Sequence, residues 1–120
     1  MEFANPYWSM AIKIGCLQRY ILVHSYLYYE LNTSIISDKK FDENAYQLVD
    51  MQKEDPSEAK RSQYWYVFDD FDGTTGFDLY HRLNKADKER IQQVANHVLG
   101  LHQREGGSIS GKDSNSRHRH

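Results

Sequence analysis

Apolar positions along the chain recur mostly at helical spacing. Over residues 7–31 they cover nearly the whole circumference of a helix, and formal charge interrupts them only at Lys13, Arg19 and Glu30. Asn5 and Pro6 form a helix-start signal, while Gly15 is expected to kink or divide the segment. Phe41, Ala45, Leu48 and Val49 then mark one face of a second helix. After a polar break at 51–56, Ser57 and Glu58 open a third, carrying Ala59, Tyr64, Trp65, Val67, Phe68 and Phe71. A strand over 64–68 is the alternative there, because aromatics and Val favour strands. Leu83, Ile91, Val94, Ala95, Val98 and Leu99 give an amphipathic helix over 85–103, capped by Asn84.

This pattern predicts a mostly α fold. The expected architecture is one compact domain over 1–105, about four helices built on a helical hairpin. Residues 106–120 lack apolar periodicity, are rich in Gly, Ser and charge, and are expected to form a disordered tail. A helix that is apolar nearly all round is normally buried. The first helix is therefore expected either to be central or to form a dimer surface through Trp8, Ile12, Tyr20 and Val23. The second option implies a homo-oligomer.

The hairpin spans Ser25 to Asp42. Asn32, Thr33 and Ser34 are turn formers, and Asn tolerates the left-handed conformation at a helix end. Ser37 or Asp38 caps the second arm. Tyr28 and Tyr29 end one arm; Asp38 and Asp42, four apart on one face, start the other. Aromatic rings beside carboxylates suit a flat cationic ring, which stacks on tyrosine and is drawn to the acids. The plainer alternative is a hairpin whose tyrosines pack and whose aspartates cap.

Composition narrows the function classes. A chain of 120 residues with a net charge of −2 offers no bulk attraction to nucleic acid, which speaks against DNA binding. The single cysteine, Cys16, excludes an intrachain disulfide framework and fits a reducing cytoplasm; its apolar neighbourhood predicts burial. The apolar run from Ile12 is broken by Lys13, Gln18, Arg19 and His24, so no membrane span is expected. Nine tyrosines, two tryptophans and five phenylalanines suit interfaces and stacking sites as well as cores.

The run Tyr26-Leu27-Tyr28-Tyr29, followed by Asp38-Lys39-Lys40-Phe41-Asp42, resembles the small N-terminal domain of bacterial NAD-dependent DNA ligases. That family shows Tyr-x-Tyr-(His/Tyr), a turn, then Asp-x-x-Tyr-Asp at the same spacing, in a helical domain that grips the nicotinamide mononucleotide (NMN) half of NAD. The resemblance covers residues 17–51. It implies ligand contacts at Tyr28, Tyr29, Asp38, Phe41 and Asp42. Phe41 stands where the family usually has Tyr, which removes one hydroxyl. The chain has no Lys-x-Asp-Gly nucleophile motif and no room for an adenylation domain, so the implied protein is a non-catalytic binder that requires no cofactor. It is similar to short ligase-related proteins of phage and prophage genomes. That setting implies the cytoplasm of a bacterial host and a counter-defence role, such as sequestering a nucleotide made by host defence. The alternative is a helical scaffold that binds a host or phage protein and no small ligand.

A second motif, Asp70-Phe71-Asp72-Gly73-Thr74, resembles the signature of haloacid-dehalogenase-type phosphatases, which implies a magnesium-dependent hydrolase as the enzymatic alternative. The strand–helix framework of that family is missing. The plainer reading is an acidic turn anchored by Phe71, Phe77 and Tyr80, placed to cap a ligand site beside Tyr28. His97 and His102 have no cysteine or acid at zinc spacing, His81 near Asp78 makes only a two-member pair, and all the histidines are expected to be structural or exposed. Arg82, Lys85, Lys88 and Arg90 form either a phosphate-holding cluster or a solvated face.

Overall fold

The structure, a computed structural model, describes residues 9–74 and 78–104. Asn5, Pro6, Trp8, Phe77 and the expected tail lie outside the described residues. All regular structure among the described residues is helical. The mostly α expectation holds, and the strand alternative over 64–68 does not.

Helix α1 (Met10–Ser25) begins where Ser9 Oγ accepts the Ile12 amide at 3.3 Å. A second orphan donor of that first turn, the Ala11 amide, reaches Glu58 Oε1 at 3.0 Å, which ties the helix start to residues 56–60. Gly15 does not divide α1. Ile14, Leu17, Ile21 and Leu22 are fully buried, and the helices over 38–54, 56–60 and 85–104 all pack against this helix. The near-continuous apolar circumference thus marks a central helix. Val23, assigned above to a dimer surface, is buried in the chain's own core; Tyr20 is half-buried, and Ile12 remains 51 % exposed. That surface is therefore not a continuous apolar face.

Past Ser25 the helix widens into a π turn, Tyr26–Glu30, closed by the Leu31 amide on the Tyr26 carbonyl at 3.2 Å. Asn32 then takes φ +53°, and Thr33 N–H donates to the Leu27 carbonyl at 2.9 Å. This is the left-handed helix end that the Asn predicted. Helix α2 (Asp38–Glu54) starts at Ser37, whose hydroxyl accepts the Lys40 amide at 3.0 Å. Its buried face carries the expected Phe41, Ala45, Leu48 and Val49, together with Gln52.

The expected third helix is two short pieces, α3 (Pro56–Lys60) and α4 (Trp65–Phe68). Pro56 lies inside α3, which Asp55 caps. The break has a visible cause. Gln18, fully buried on α1, accepts the Tyr64 amide through Oε1 at 3.1 Å and donates through Nε2 to Ser62 Oγ at 2.8 Å. Both partners lie in the break, so a distant side chain takes the Tyr64 amide that a continuous helix would bond locally. A short 3₁₀ turn, Tyr80–Arg82, leads to α5 (Lys85–Arg104), where Asn84 Oδ1 accepts the Asp87 amide at 2.8 Å. Ile91 and Ala95 of α5 are fully buried.

Candidate functional site

The π turn and the start of α2 enclose a narrow cleft. It is lined by His24 and Ser25 of α1, by Tyr28 and Tyr29, by Ser34 to Ser37 of the connection, and by Asp38 and Phe41 of α2. Four of the five residues singled out in the sequence therefore meet at one place; Asp42 is not among the lining residues.

Local structure explains the meeting. The π turn inserts one extra residue before the chain reverses, and such turns recur at functional sites. The left-handed Asn32 folds the connection back, and Ser34 Oγ fixes it by donating to the Ile36 carbonyl at 2.8 Å. The Tyr28 and Tyr29 rings stand edge to face, centroids 4.9 Å apart at 88°. Phe41 is only 6 % exposed, so its ring belongs as much to the core as to the cleft.

The void measures about 290 Å³ including its open mouth, but the centre of a water-sized sphere can occupy only about 10 Å³ of it. That is room for about one water. A pyridine ring does not fit this space as it stands.

His24 and Ser25 are site residues that the sequence reading missed. His24 sits four residues before Tyr28, one helical turn below it, and that spacing was the available signal. Its ring lies 4.5 Å from the Tyr20 ring, and burial pushes its pKa down to about 4, so the imidazole is neutral at neutral pH. Ser25 is 2 % exposed, and its hydroxyl has no hydrogen-bond partner among the described residues. The cleft wall thus carries a neutral imidazole and a buried hydroxyl beside two phenols and a carboxylate. Such a surface can stack a ring and form directed hydrogen bonds.

The acidic loop is held by its own side chains and by Arg82. Asp70 pairs with Arg82 at 2.7 Å, and Asp78 with the same guanidinium at 3.3 Å. Arg82 also donates to the Val67 carbonyl at 3.0 Å. Asp72 accepts from both the amide and the hydroxyl of Thr74, at 3.0 and 2.6 Å, and these bonds hold its pKa below the usual carboxylate range. No described residue of this loop lines the tyrosine cleft. Among the described residues no three His, Cys, Asp or Glu side chains are grouped as a metal ion would need.

The basic cluster is also dispersed. Arg82 is engaged as above, Lys88 Nζ lies 5.7 Å from the centroid of the Tyr80 ring, and Arg90 pairs with Asp87 at 3.4 Å. The His81 imidazole meets Glu30 of the π turn at 2.7 Å, while its backbone amide donates to the Asp78 carbonyl at 3.1 Å. Cys16 is half-buried rather than buried. No helix among the described residues is long and apolar enough to cross a membrane. Comparison of the chain with protein-family models, with curated proteins and with solved structures finds no match.

Proposed function

We propose that the protein is a small non-catalytic binder of a nucleotide of the NMN or NAD type. The observation that carries this reading is the lining of one cleft by Tyr28, Tyr29, Asp38 and Phe41, which come from two elements separated by a turn. Aromatic faces and an acid at one opening favour a flat cation. In this reading the tyrosine rings part to admit the pyridinium and close on it, and Asp42, one turn beyond Asp38, contacts the ribose side of the ligand. The resemblance to the NMN-gripping ligase domain supplies the ligand class. It also supplies the setting: a phage-derived protein in a bacterial cytoplasm that withholds a nucleotide from a host enzyme.

A second reading, a scaffold for a protein partner, is favoured by one observation, the small free volume of the cleft. Calorimetry with NMN and NAD separates the two, using the parent chain, Tyr28→Ala and Asp42→Ala. Binding by the parent that both substitutions abolish is the expected result. A folded parent that binds neither compound at millimolar concentration would overturn the nucleotide reading and leave the scaffold.

A further inference from the structure

We propose a second ligand site, for a small phosphorylated organic molecule, in a groove between α1 and the turn after α3. The groove is lined by Ala11, Ile12, Gly15, Cys16 and Arg19 of α1 and by Arg61 and Gln63 of the turn, and encloses about 330 Å³. It shares no lining residue with the tyrosine cleft. Along α1, Cys16 and Ser25 are separated by roughly 13 Å of helical rise.

The charge balance of this groove is positive. Arg61 pairs with Glu58 Oε2 at 2.7 Å, and the other oxygen of that carboxylate is taken by the Ala11 amide at 3.0 Å. Glu58 is therefore committed on both sides. Arg19 is partly buried and forms no ion pair among the described residues. A guanidinium removed from water is stabilised by an anion, and its planar fork matches phosphate oxygens.

Size and lining define the class further. A volume of about 330 Å³ lies within the range of small-molecule clefts and exceeds what a bare ion fills. Ala11 and the half-exposed Ile12 offer an apolar wall to the carbon part of the ligand, and the Gln63 amide can donate to or accept from its hydroxyls. A sugar phosphate meets these conditions with its phosphate at the arginines.

The test is a titration of the ¹⁵N-labelled full chain with ribose 5-phosphate, and separately with inorganic phosphate, at constant ionic strength. The expected result is saturable shifts at Gly15, Arg19, Arg61 and Gln63, with ribose 5-phosphate the tighter ligand. Arg19→Gln and Arg61→Gln should each weaken binding about tenfold, the loss of one charge-assisted hydrogen bond. Tyr28→Ala should leave this binding unchanged. Absence of saturable shifts at millimolar ribose 5-phosphate overturns the proposal. So does binding that persists in the folded double variant, or a groove that takes an acidic peptide and ignores the sugar phosphate.

Discussion

Gln18 Nε2 donates a hydrogen bond to Gln52 Oε1 at 3.0 Å, and both side chains are shut off from solvent. Gln52 passes the connection on, donating to the Phe68 carbonyl at 3.2 Å. Together with the bonds that Gln18 makes with Ser62 and Tyr64, this joins α1, α2, α4 and the break before α4 through satisfied polar atoms. Buried amides are tolerated only when paired in this way.

Gln18→Met keeps the volume and removes all three bonds. The Tyr64 amide is then left buried without its partner. The expected loss is about 1–3 kcal/mol of folding stability, read from urea denaturation. An unchanged midpoint would show that the network is incidental.

The Arg82 clamp gives a second prediction. Its partners Asp70 and Asp78 are exposed, and such ion pairs contribute little, but the bond to the Val67 carbonyl is partly buried. Arg82→Ala should cost about 1 kcal/mol. The more specific sign is faster amide exchange over residues 69–74 than in α2.

Gly73 gives a third. Its φ is +89°, and an added Cβ would lie 2.8 Å from the Tyr46 ring. Gly73→Ala should destabilise by about 1–3 kcal/mol through backbone strain and the clash together. Adding Tyr46→Ala relieves the clash alone. The double variant should therefore lose less than the sum of the two single losses, as a double-mutant cycle would measure.

These elements also indicate what the sequence made legible. Ser37, Asn84 and Asn32 act on backbone within a few residues of themselves, so the end of the first arm and the starts of α2 and α5 could be read locally. The break between α3 and α4 could not, because Gln18, 46 residues away, holds the Tyr64 amide. In the site, the aromatic pair and Asp38 were legible by type and spacing. His24 was legible only as a residue one turn before Tyr28; its neutral state follows from burial that only the packed fold creates.

His24 contributes a pH dependence of its own. Its pKa falls from 6.5 to about 4 on folding, so the unfolded chain binds the extra proton between these values. As pH falls from about 6.5 to about 4, stability should decline by up to about 3 kcal/mol and then level off as far as this residue is concerned. Above pH 6.5 it contributes no slope. Denaturation midpoints across this range, compared with His24→Phe, check the assignment; equal slopes in both chains would reject it.

Phe41→Tyr restores the hydroxyl that the ligase-like pattern usually carries. On the nucleotide reading, affinity for NMN should rise by up to about tenfold, one added hydrogen bond, measured by calorimetry. Unchanged affinity in a folded variant would place the ligand away from this ring.

The π turn at Tyr26–Glu30 makes chain length, more than residue identity, the sensitive variable of this region. Deleting any one of its residues would let the turn relax to ordinary α spacing and rotate whatever follows by about 100° relative to α1. The tyrosines would then leave the mouth of the cleft while every side chain there kept its chemistry. Over evolutionary time, such a segment should accumulate substitutions more readily than insertions or deletions.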